Sequence, residues 1–130
     1  MAVGQKKFHV KEQSLIRAMA SMGGGVASSG GPCGALLGGV AFLGSVLGKE
    51  EPETKDNPVM WKSCFEFYKR FEDEVAVKWG SVNCRDITGV DWKKRDQVKN
   101  FYKGEGRITC AENTGKAAMI LGEIMEKYLK

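Results

Sequence analysis

The chain has 130 residues, with 20 lysines and arginines against 16 acids, a net charge of +4, and 42% hydrophobic side chains. That length suits a single domain spanning 1–130 with a core of its own, so the four cysteines are not needed as disulfide staples. The composition excludes a disordered chain, and the charge is too mild to make nucleic acid an expected partner.

Met1 to Val10 includes two lysines but lacks the apolar stretch of a secretory signal. The longest apolar run, Cys33 to Leu47, is 15 residues and contains four glycines. A bilayer needs about 20 apolar residues, so no membrane insertion is expected. The expected compartment is the cytoplasm, where thiols stay reduced.

In chain order, Lys11 to Met22 places Leu15, Ile16, Met19 and Ala20 at helical spacing. A loop rich in glycine follows from Gly23 to Pro32, and it is either mobile or wrapped closely around something. Cys33 to Gly48 is apolar all round and predicts a buried central helix. Gly34 and Gly38, one turn apart, leave a groove for another backbone, by analogy with membrane helices. Such a helix could pack across a two-fold axis, making a homodimer possible.

Asn57 and Pro58 form a helix start, as N-cap and first-turn proline. From there Trp61, Cys64, Tyr68, Phe71, Val75 and Trp79 predict one buried stripe on a long helix ending near Gly80. Ser81 to Asp86 reads as a turn or a short helix. Asp91 is placed to cap a basic helix through Lys103, and a last helix is expected from about Thr109 to Leu129. There Cys110, Ala117, Leu121, Ile124 and Tyr128 share a face. No strand alternation or internal repeat is visible, so the expected fold is all-α, a compact bundle of four to five helices.

The cysteines are Cys33, Cys64, Cys84 and Cys110, and no two form a C-x-x-C pair. Cys33 begins the central helix, where the positive end of the macrodipole favours a thiolate and the glycine loop leaves the sulfur open. Cys84 lies beside Arg85, whose charge would act in the same sense. Cys110 begins the last helix and shares the helix-start argument. Cys64 falls inside the aromatic stripe, where a cysteine serves as a small hydrophobe.

These residues carry a family resemblance. Gly23-Gly24-Gly25, then Gly30-Gly31-Pro32-Cys33-Gly34-Ala35-Leu36-Leu37-Gly38, resembles the glycine stretch and Cys-Gly-Ala-x-x-Gly motif of the redox-active family named for its C_GCAxxG_C_C pattern. Trp79 to Asp86 is similar to that family's Gly-Ser-x-x-Cys-Arg segment, and Cys110 matches its last cysteine. The likeness runs from about Lys11 to the C-terminus. It implies a small helical bacterial or archaeal protein, redox-active or metal-binding through Cys33, Cys84 and Cys110. A similar domain occurs in split-Soret cytochromes, but with no C-x-x-C-H and one histidine, the haem half does not carry over. The family also has a cysteine upstream of the glycine loop, and here none precedes Cys33.

Three readings follow. The first is thiol/disulfide chemistry with Cys33 as reactive thiolate and Cys84 or Cys110 as partner, exchanging with an unidentified redox partner. The second is a zinc or iron–sulfur site on the same three cysteines. The third is a binding module without chemistry, in which Lys93, Lys94, Arg95, Lys99, Lys103 and Arg107 with Trp92, Phe101 and Tyr102 would grip nucleic acid. In that segment a solvated basic face over core aromatics is the simpler expectation. The glycine loop lacks a preceding strand and a phosphate-binding register, so it does not predict a nucleotide site. His9 reads as a surface residue, and one histidine supports no catalytic triad.

Overall fold

A computed structural model describes residues 1–129. They form seven α-helices: α1 (Ala2–Lys7), α2 (Gln13–Ala20), α3 (Gly34–Leu47), α4 (Pro58–Arg70), α5 (Cys84–Thr88), α6 (Arg95–Lys103) and α7 (Gly106–Tyr128). No strand occurs among the described residues, so the all-α class is as expected; α1 and α5 bring the number of helices above five. No helix among them is long and apolar enough to cross a membrane.

Helix α3 is central and packs on α4 and α7, which also pack on each other. Leu36, Phe42 and Leu43 of α3 meet Phe67 of α4 and Ala117, Ile120, Leu121, Ile124 and Met125 of α7 in one buried cluster. The tightest approach to α3 is made at Gly39, not in the groove expected at Gly34 and Gly38. A β-carbon on Gly39 would overlap the Phe67 ring, so only glycine admits an aromatic this close to the backbone. Gly34 faces the Met22 carbonyl, and Gly38 faces the Met1 nitrogen and Met19, so the groove is lined from within the chain.

Asn57 caps α4 as expected, accepting a hydrogen bond from the Val59 backbone N–H at 2.9 Å. The predicted stripe needs correction. Trp61 is 61% exposed and Tyr68 41% exposed, while Ser63, Phe67, Phe71 and Val75 are buried. Phe67 rather than Tyr68 seats against Gly39 of α3, which turns Trp61 and Tyr68 outward. Phe71 and Val75 are buried as expected, within a π-helical turn over Phe71–Val75 in which the Ala76 N–H reaches back to the Phe71 carbonyl. Positions four apart would drift around a regular helix; the wider turn keeps Phe71 and Val75 on the face set by Phe67. A short 3₁₀ turn (Val77–Trp79) then ends at Gly80 in left-handed conformation.

The N-terminal segment is anchored by a side chain the sequence did not single out. Gln5 is buried, donates to the Glu12 carbonyl and accepts from the Glu12 N–H. Phe8 sits 6.0 Å from the Phe42 ring, and His9 is exposed, as expected. In α2 no residue is fully buried: Leu15 and Met19 are half-buried and Ile16 is exposed.

Candidate functional site

The glycine-rich loop is ordered and wrapped, in a conformation that side chains rarely adopt. Gly24, Gly25, Val26, Ala27 and Ser28 have φ values of 64°, 72°, 62°, 51° and 60°, a continuous left-handed turn. The three non-glycine residues each carry a penalty of about 1–2 kcal/mol there. Internal hydrogen bonds offset it: Ala27 N–H to Ser21, Ser28 to Gly23, Gly30 to Gly24 and Gly31 to Gly25, at 2.8–2.9 Å. Because the loop's amides are used inside the loop, they are not aimed at a phosphate.

What the loop wraps is the Cys84 turn. A β-carbon on Gly25 would stand 2.7 Å from the Cys84 β-carbon and would overlap the Gly31 carbonyl oxygen. A β-carbon on Gly24 would meet the Trp92 ring at 3.2 Å, and one on Gly30 the Arg85 β-carbon at 3.0 Å. The loop then leaves through an isolated antiparallel bridge, Pro32 to Asn83. Around it the Cys33 N–H donates to the Val82 carbonyl (2.9 Å), the Cys84 N–H to Gly31 (2.7 Å), and the Arg85 N–H to Gly30 (3.1 Å). Cys33 is thus the N-cap of α3, and Cys84 the first residue of α5. They sit at diagonal positions on one side of the bridge, where β-carbons of an antiparallel pair can approach.

Cys110 approaches from α7 and acts electrostatically on the same locality: ionised Cys33 and Cys84 both make it harder to ionise. Its predicted position is corrected. Helix α7 begins at Gly106, so Cys110 lies one turn inside and not at an open helix start. Burial pushes the Cys110 thiol above the ordinary cysteine range. Burial likewise pushes Cys84 up, opposed by the Trp92 indole N–H and the Thr88 hydroxyl, with the Cys33 charge adding to the rise. The expected help from Arg85 does not materialise at Cys84, since the Arg85 Nε–H donates to the Gly30 carbonyl at 3.1 Å. All four thiols are free and half-buried. Among the described residues, no three of histidine, cysteine, aspartate and glutamate are gathered closely enough to hold a metal ion. The sulfurs influence one another without forming a ready ligand set for zinc or a cluster.

Cys64 stands apart, on α4, with its sulfur toward the Val40 carbonyl at 3.9 Å and its thiol pushed up by burial. Cys33, Cys84 and Cys110 act on one another electrostatically, and Cys64 does not join them. The sequence profile of the family described as Putative redox-active protein (C_GCAxxG_C_C) matches residues 1–124. The chain belongs to this family. No curated protein and no solved structure matches it.

For this C_GCAxxG_C_C protein, one site neighbour and one buried polar residue escaped the sequence reading. Trp92 forms an aromatic group with Phe101 (5.0 Å between centroids) and Tyr102 (6.4 Å), yet its indole nitrogen is turned to the thiols rather than to solvent. Asn113, one turn after Cys110, is buried at 4% exposure. An asparagine in the middle of a helix facing the core was the available signal. The lysines and arginines of the basic segment are exposed, as a solvated face requires. Asp91 does not cap α6, whose N-cap is Lys94; its carboxylate instead accepts from the Lys93 N–H, closing the turn before the helix.

Proposed function

We propose that this protein carries out thiol–disulfide exchange, with Cys33 as attacking thiolate and Cys84 as its partner. The observation that supports the reading is the Pro32–Asn83 bridge, which holds both cysteines on one side of a short backbone ladder. Diagonal positions on such a ladder have α-carbons roughly 7–8 Å apart, just outside the ~7 Å reach of a disulfide, so a small backbone shift closes the bond. The two sulfurs stay free until a substrate draws them together.

In the exchange, the Cys33 thiolate attacks one sulfur of a substrate disulfide. The substrate S–S bond breaks, and the departing sulfur leaves with the electron pair and takes up a proton. The Cys84 thiolate then attacks the Cys33 sulfur of the mixed disulfide, forming Cys33–Cys84 and releasing the second substrate thiol. Two protein thiols are oxidised and one substrate disulfide is reduced to two thiols.

The test is a single turnover with an aromatic disulfide whose leaving thiolate is coloured. Two coloured thiolates per chain are expected, with a Cys33–Cys84 crosslinked peptide in the digest. Cys84→Ser should release one and stay trapped as a mixed disulfide on Cys33, and Cys64→Ser should behave as the parent protein. Independent labelling of all four cysteines, with no internal bond, would overturn the proposal.

A further inference from the structure

Two buried side-chain polar atoms among the described residues have no hydrogen-bond partner: Nε1 of Trp92 and Nδ2 of Asn113. Buried donors left unpaired are costly, and a native chain retains them where something is to be bound or stabilised. Trp92 borders the thiol site. Its ring stands against Gly24 of the wrapped loop, and its indole N–H acts on the Cys84 sulfur. Asn113 lies deeper on α7, at 4% exposure, and is not among the groups that act on the Cys110 thiol.

A neutral thiol accepts hydrogen bonds poorly, whereas a thiolate accepts them well. The Trp92 N–H is therefore unpaired against a neutral thiol and would be satisfied when the Cys84 sulfur carries charge. We propose that Trp92 is the donor residue of the thiol site, receiving the negative charge that develops on Cys84 during exchange. This rests on the thiol–disulfide reading and adds to it the group that makes ionisation of a half-buried sulfur feasible. It is the logic of preorganised donors aimed at charge that appears only in the course of reaction.

The other ionisable groups at the site do not supply that service. Cys33, at the start of α3, is a further source of negative charge, and Arg85 on α5 has its Nε–H on the Gly30 carbonyl. No carboxylate, ammonium or guanidinium acts on the Cys84 or the Cys110 sulfur from α3, α5, α6 or α7.

The experiment follows alkylation by iodoacetamide, cysteine by cysteine, across pH in the full chain. Trp92→Phe keeps an aromatic ring beside Phe101 and Tyr102 but removes the N–H. Trp92→Phe should move the Cys84 profile up by about one pH unit, a roughly tenfold slower reaction at neutral pH. The Cys110 profile should stay as in the parent protein, since a general loosening of the site would move both. A Cys84 profile unchanged in Trp92→Phe, or a Cys110 profile that moves with it, would overturn the proposal. Loss of the Cys33–Cys84 crosslink in the unmutated protein would instead overturn the exchange reading, a separate measurement with a separate outcome.

Discussion

Gly25→Ala probes the closest contact between the loop and a site cysteine. Gly25 has φ of 72°, so an alanine there carries a left-handed penalty of about 1–2 kcal/mol. Its β-carbon would also stand 2.7 Å from the Cys84 β-carbon and overlap the Gly31 carbonyl oxygen. Neither neighbour is the free end of a flexible side chain, so backbone must move; overpacking of this kind costs about 1–3 kcal/mol. The sum, about 2–5 kcal/mol, is a large share of the 5–15 kcal/mol that stabilises a typical domain. Gly80→Ala is the matched control. Gly80 has φ of 65° with nothing within 4 Å of the added carbon, so it should lose only the backbone part, about 1–2 kcal/mol. Urea unfolding of both variants measures the difference, and alkylation of Cys84 should quicken in Gly25→Ala as the loop lifts away. Equal losses in the two variants, with Cys84 unchanged, would refute the claim that this loop is built around the cysteine.

Phe67→Ala empties the slot against Gly39 in the middle of the core and should cost about 3–5 kcal/mol, read as a lowered urea midpoint. Asn57→Ala removes the cap of α4 and should cost about 1 kcal/mol, whereas Asn57→Ser should retain most of it. Because burial raises the Cys84 and Cys110 thiols, both should be alkylated more slowly in the folded chain than in denatured chain near neutral pH. The same shifts bear on stability. The unfolded chain gives up these protons first, so their contribution is whole below the ordinary cysteine range and is lost as pH climbs through the folded values. Unfolding midpoints measured from neutral to alkaline pH should fall, and a flat profile in this range would contradict the burial of both thiols.

Local chemistry determined a good deal of this protein without any tertiary knowledge. Period and capping residues placed the helix that Asn57 opens, the apolar helix after Cys33 and the long C-terminal helix, because 3.6-residue spacing and end chemistry are written in neighbouring residues. The Cys-Gly-Ala-x-x-Gly and Gly-Ser-x-x-Cys-Arg segments likewise picked out Cys33 and Cys84, whose backbones flank the Pro32–Asn83 bridge. What the sequence did not determine depends on long-range packing. The face that α4 buries is set by how Phe67 meets Gly39 and by a π turn at Phe71, neither of which leaves a period in the sequence. The thiol electrostatics depend on burial by segments far apart in the chain, which reversed the direction expected for Cys84 from its Arg85 neighbour and for Cys110 from its helix position. The glycine loop shows both sides. Its composition allowed either a mobile loop or a close wrap, and only the fold disclosed that it is wrapped and that the object is Cys84, because Gly25 and Cys84 are 59 positions apart and meet through packing alone.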